Sequence, residues 1–242
     1  MDTDSESWCT RLRCGDQCRG FVRRKTLRFA GHVVRYAVAG RGRAVVLLKK
    51  DRGSYVPFER LADRYTMVQI EPLGFGGSDR PANCPPGGVH EQVLSVCDQE
   101  DIAEFAVWGF SQGGAMACAV AQATPRARLM VCGGFNVLRG LSDAWVARMN
   151  HEGRIPVGSR TFWNWFHGYD WHIELRRMSI PRLMYWGSLD SRRASLKDQH
   201  ILRGLGVDVV EFAGLNHGRC GLGDPDSPAS GMVARWLRHN GW

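Results

Sequence analysis

Apolar residues along the chain fall into two spacings that alternate. AVVLLK, residues 44–49, is a short continuous apolar run, the pattern of a strand buried on both faces. Before it, TLRFAGHVVRYAVAG alternates apolar and polar positions and breaks at glycine, which predicts a hairpin over about 26–31 and 33–38. Further runs predict strands at 65–72, 103–110, 127–133, 181–187 and 207–214. Between them, 56–64, 89–98 and 112–123 have helical spacing, and SPASGMVARWLRHN closes the chain as a helix. Strands that alternate with helices imply an α/β class: a mostly parallel twisted sheet with helices on both faces.

Two stretches depart from this rhythm. Residues 1–24 carry no period and predict a loosely ordered leader, which leaves 25–242 as one domain. Residues 134–180 interrupt the alternation and hold Trp145, Phe162, Trp163, Trp165, Phe166, Tyr169 and Trp171. Too short for a separate domain, this stretch predicts an inserted, aromatic-rich helical cap.

Composition narrows the partners. The formal net charge is +8, but all but four of the 32 basic residues are arginine and they are scattered, so no nucleic-acid partner is expected. No apolar run reaches the ~18 residues of a membrane span, and the polar, acid-bearing N-terminus is unlike a secretory signal; a cytoplasmic protein with no membrane partner is expected. Of eight cysteines, Cys97, Cys118 and Cys132 fall in apolar segments and predict small core residues. Cys9, Cys14 and Cys18 lack the partners of a usual zinc site, and no metal is expected. Oligomeric state is not encoded in any recognisable pattern.

Candidate chemistry centres on VWGFSQGG. Gly109-Phe110-Ser111-Gln112-Gly113 fits G-x-S-x-G, with a predicted strand before it and a predicted helix after it. That context suits a nucleophile on a tight strand-to-helix turn; the ordinary alternative is a glycine-serine turn without chemistry. A serine hydroxyl needs a base, a carboxylate to orient that base, and donors for the developing oxyanion. Asp190 lies just beyond the strand 181–187, and His217 just beyond 207–214. Both, like Ser111, lie at the carboxyl ends of predicted parallel strands, where open α/β sheets collect functional groups. Asn136 and Asp143, after the preceding strand, are positional substitutes for the acid.

With GFGGSDRP after the strand 65–72, WGFSQGG, YWGSLD and the NHG loop in place, the chain resembles the α/β-hydrolase superfamily over about residues 26–242. It resembles in particular the small single-domain esterase, lactonase and haloperoxidase-like group. The resemblance implies the α/β-hydrolase fold with Ser111 as nucleophile, His217 as base and Asp190 as the orienting acid. It also implies Gln112 as one backbone oxyanion donor. The second donor normally follows the strand 44–49, where most relatives carry His-Gly. Here Lys49 and Lys50 stand in those places and Asp51 at the donor position. Relatives also carry aspartate where this chain has Glu71, and arginine where it has Leu73.

Ester, lactone or thioester hydrolysis of a small apolar acyl or aromatic compound is therefore expected, without a cofactor. Lys49, Lys50, Phe110, Trp163, Trp165 and Phe166 are the expected substrate contacts. The changed oxyanion loop keeps two alternatives open: a non-hydrolytic cyclase or isomerase, and a ligand-binding relative without catalysis.

Overall fold

The computed structural model describes residues 9–11, 21–48, 56–81, 88–139, 166 and 169–242. Among these residues nine strands form one sheet: β1 Cys9–Arg11, β2 Phe21–Phe29, β3 His32–Ala39, β4 Ala44–Leu48, β5 Thr66–Glu71, β6 Phe105–Phe110, β7 Ala127–Gly133, β8 Arg182–Gly187 and β9 Val207–Phe212. Their spatial order is β1-β2-β3-β5-β4-β6-β7-β8-β9. From β5 to β9 every neighbouring pair is parallel, while β1, β2 and β3 add an antiparallel edge. The helices are α1 Val56–Arg60, α2 Val89–Gln99, α3 Gln112–Ala123, α4 Trp171–Arg177, α5 Leu196–Gly204 and α6 Ala229–His239.

Side chains on a strand alternate between faces, so a run apolar at every position feeds two cores. β4 does this residue by residue. Val46 and Leu48 join the core that includes Val93 and Val96 of α2 and Met116 and Val120 of α3. Val45 and Leu47 join the opposite core, with Phe58 of α1 and Val233 and Leu237 of α6. Trp108 and Tyr185 lie fully inside the second core, and the indole N–H donates to the Tyr185 hydroxyl at 3.2 Å. A buried polar atom left without such a partner would cost folding free energy.

The differences from the sequence reading have local causes. β2 reaches back to Phe21 and pairs with Cys9–Arg11, so strand pairing enters part of the stretch expected as a leader. α1 ends at Arg60, short of the expected 64, because the chain turns into β5: the N–H groups of Arg64 and Tyr65 donate to Leu61 O, and that of Thr66 to Arg43 O. α5 was not expected; Ser195 caps it by accepting the Asp198 N–H at 3.1 Å. The loop after β5 is braced through Glu71, which accepts the Gly77 N–H at 2.6 Å, and through Gln92, which accepts the N–H of buried Leu73 at 2.7 Å. Asp79 and Ser78 of GFGGSDRP clamp it to β3 by accepting the Val33 and Arg35 N–H groups.

The strand order reverses at β4: β5 lies on one side of it and β6 on the other. In open α/β sheets this point opens a crevice at the carboxyl ends of the strands. No helix among the described residues is long and apolar enough to cross a membrane.

Cys97, Cys118 and Cys132 are fully buried in the first core. Burial, opposed only in part by Arg126, pushes the Cys97 thiol up to about 12 from an ordinary value of 9.0, and burial raises Cys118 as well, helped by Cys132. Protonated thiols are thus favoured in the fold. Their contribution is full below about pH 9, where the unfolded thiols are also protonated, and is lost as pH rises towards the folded values. Urea unfolding is expected to show stability falling above about pH 9 by roughly 1 kcal/mol per pH unit for each such thiol. Native protein at about pH 8 is expected to leave Cys97 and Cys118 unlabelled by an aromatic disulfide reagent that modifies them once the chain is unfolded.

Candidate active site

β6 delivers the chain to the switch point, with Leu48 of β4 paired to Gly109 on one side and Gly133 of β7 paired to Phe110 on the other. α3 starts immediately and passes so close that side chains are excluded. A Cβ on Gly109 would lie 1.9 Å from the Gly113 carbonyl oxygen, and one on Gly113 would lie 2.5 Å from the Leu48 carbonyl oxygen. Between these glycines the backbone must reverse within one residue, and Ser111 takes it at φ 56 and ψ −124. A serine at positive φ is strained and persists only where its surroundings enforce it. Here its N–H donates to Gly133 O at 2.7 Å, while its carbonyl accepts from the Gly114 and Ala115 N–H groups.

The acid and the histidine come from the next strand ends. Asp190 follows β8 with its side chain fully buried. An isolated carboxylate there would be costly, and this one is partnered at both oxygens. Oδ2 lies 2.7 Å from His217 Nδ1, and Oδ1 accepts the Arg192 backbone N–H at 2.9 Å. The His217 loop is stitched to the Asp190 loop: Leu189 N donates to Leu215 O, and Gly214 N donates to Ser188 Oγ. Phe110 supports the imidazole from one side, with ring centroids 4.8 Å apart.

With Nδ1–H given to the carboxylate, Nε2 is the acceptor end of a neutral imidazole. The Arg192 guanidinium occupies it. Its Nη1 donates to His217 Nε2 at 2.7 Å and to Ser111 Oγ at 3.3 Å. The hydroxyl and the imidazole are thus bridged by one cation.

A family model described as the alpha/beta hydrolase fold matches residues 53–150. Solved structures match nearly end to end. A hydrolase from Pseudomonas aeruginosa PA01 superposes with a TM-score of 0.71 at 17% identity, over 88% of this chain and 98% of the other. A thermophilic esterase from Thermogutta terrifontis gives 0.70 at 16%, over 89% and 98%. The enol-lactonase from Burkholderia xenovorans LB400 gives 0.67 at 15%, over 88% and 100%. The chain has the α/β-hydrolase fold. No curated protein matches it in sequence.

Within this α/β-hydrolase fold, Ser111, Asp190, His217 and Phe110 gather at one place. Gln112 opens α3 directly after Ser111. Lys49, Lys50, Asp51, Trp163, Trp165 and Asp143 lie outside the described residues. Asn136 is not at the imidazole; its amide donates to Asp198 Oδ2 at 2.9 Å. Phe166, expected at an apolar entrance, is 1% exposed. Its ring stacks on Trp171 and meets Phe135 edge-on, as part of the first core.

Arg192 escaped the sequence reading. Its signal was an aspartate two residues earlier: a side chain that caps the N–H at i+2 holds that residue beside the carboxylate.

The tight passage at the elbow is directly testable. Gly109→Ala is expected to lower stability by at least ~3 kcal/mol, since backbone blocks the added methyl group. Gly204→Ala, at the end of α5 with nothing within 4 Å of the new carbon, is expected to gain up to ~1 kcal/mol. Thermal unfolding followed by circular dichroism measures both.

Proposed function

We propose that the chain is a serine hydrolase that cleaves a carboxylic ester, lactone or thioester of a small, largely apolar compound. The observation that carries this reading is the convergence of three strand ends: Asp190 on His217 Nδ1, and one guanidinium in contact with both His217 Nε2 and Ser111 Oγ. The hydroxyl and the imidazole face the same guanidinium nitrogen, so rotation of the Ser111 side chain towards Nε2 can pair them once that donor moves aside. An orienting carboxylate then fixes which imidazole nitrogen accepts the hydroxyl proton.

The steps follow from these positions. Ser111 Oγ attacks the carbonyl carbon as His217 Nε2 takes its proton, and Asp190 stabilises the imidazolium that forms. The Gln112 N–H, at the start of α3, and the N–H at Asp51 are the assigned oxyanion donors. Collapse expels the alcohol or thiol, which receives the proton from His217 and leaves an acyl group on Ser111. Water, deprotonated by His217, then releases the acid. The fold is shared with an esterase and an enol-lactonase, which supports ester or lactone chemistry over peptide or sugar cleavage. A protein that only bound its ligand would have no need of Ser111, Asp190 and His217 together.

With para-nitrophenyl butyrate, a burst of nitrophenol stoichiometric with enzyme is expected, followed by slower turnover. Ser111→Ala and His217→Ala are each expected to lower kcat by at least ~10³-fold, and the double variant no further, because the two act as a unit. Asp190→Asn is expected to lower kcat by on the order of 10⁴-fold by presenting the wrong imidazole tautomer. Equal turnover by wild type and Ser111→Ala would refute the acyl-enzyme.

A further inference from the structure

Arg192 stands apart from the arginines around it. Arg139 pairs with Asp198 at 2.7 Å, Arg193 with Glu211 at 3.3 Å and Arg219 with Asp224 at 3.4 Å. Among the described residues the Arg192 guanidinium has no carboxylate partner. The one acid beside it, Asp190, is taken by the imidazole and by the Arg192 backbone. The guanidinium rests instead on a neutral imidazole nitrogen and a hydroxyl. Neither partner matches its charge or its two-pronged geometry, which a carboxylate satisfies far better. The residue is exposed while its main chain is fixed by Asp190 Oδ1, so its side chain can swing without the loop moving.

We propose that Arg192 is the anion receptor of this site: it binds a carboxylate, or a comparable anionic group, carried by the substrate, and in doing so leaves His217 Nε2. The inference rests on the hydrolase reading above and adds to it the charge of the substrate. In the resting arrangement Arg192 holds the acceptor that Ser111 must reach. A neutral ester offers nothing to draw the guanidinium away. An anionic one does, and the Ser111 hydroxyl then takes up the freed nitrogen. Substrate charge thus acts on kcat as well as KM, because it completes the proton-accepting pair.

The test compares para-nitrophenyl hexanoate with its terminal-carboxylate counterpart, the para-nitrophenyl monoester of adipic acid. Wild type, Arg192→Met and Arg192→Lys are assayed, with Ser111→Ala as the blank. Wild type is expected to favour the anionic ester by at least ~10-fold in kcat/KM. Arg192→Met is expected to lower kcat/KM for the anionic ester by ~10–100-fold while kcat for the neutral ester holds or rises. Arg192→Lys is expected to keep part of the preference. Equal losses on both esters, or an unchanged ratio, would overturn the proposal and leave the hydrolase reading standing.

If wild type turns over neither ester, the hydrolase reading fails and binding decides the receptor. Calorimetric titration with phenylacetate and phenylacetamide is then expected to show the anion bound at least ~10-fold more tightly, a preference lost in Arg192→Met. Equal affinity for the two probes, or binding of neither, contradicts it.

Discussion

The approach of α3 to the middle of the sheet is the constraint on which the site depends. The helix begins one residue after β6 ends, and it begins almost in contact with the backbone of two strands. No side chain fits at Gly109 or Gly113, so the reversal falls on Ser111 alone. Its strained φ of 56 is the geometric result of joining a central strand to a helix with no intervening loop. The strand register does the rest. Leu48, Gly109 and Cys132 stand side by side, which sets the serine at the crevice where the strand order reverses.

A second ordering centre is the buried Asp190 carboxylate. One oxygen fixes the imidazole tautomer and its orientation; the other holds the main chain of the residue whose guanidinium rests on the far side of that imidazole. A single buried charge therefore positions both the imidazole and the guanidinium that covers it. In a water-excluded setting such contacts are stronger than at a surface, and removing the carboxylate would loosen both at once.

Much of this was legible in the chain, for reasons that can be named. Strands β4 to β8 were visible because burial on both faces forces apolar residues at successive positions, as Val45, Val46, Leu47 and Leu48 show; β9, at the sheet edge, was visible by its apolar positions between the exposed Asp208 and Glu211. The elbow was visible because its glycines are a steric requirement and so appear as a spacing. Asp190 and His217 were visible because parallel strands end on one edge. α5 was missed because LKDQHILRG is mostly polar and sends chiefly Leu202 into the core, although its Ser195 cap was there to be read. Phe166 was read as a substrate contact, because an apolar ring in an aromatic-rich stretch does not show in the sequence that it packs against Phe135 and Trp171. Arg192 was hidden for the same reason: the direction of an exposed side chain in a loop is set by the fold of that loop.

In the proposed mechanism the strained turn presents Ser111 as a nucleophile activated by His217. The most direct measurement of this is covalent labelling with an alkyl fluorophosphonate, followed by peptide mass spectrometry. The account predicts one adduct, on Ser111, formed rapidly in wild type, absent in Ser111→Ala and slowed by at least ~10²-fold in His217→Ala. An intact protein that leaves Ser111 unlabelled, or that labels it equally fast without His217, would contradict the account.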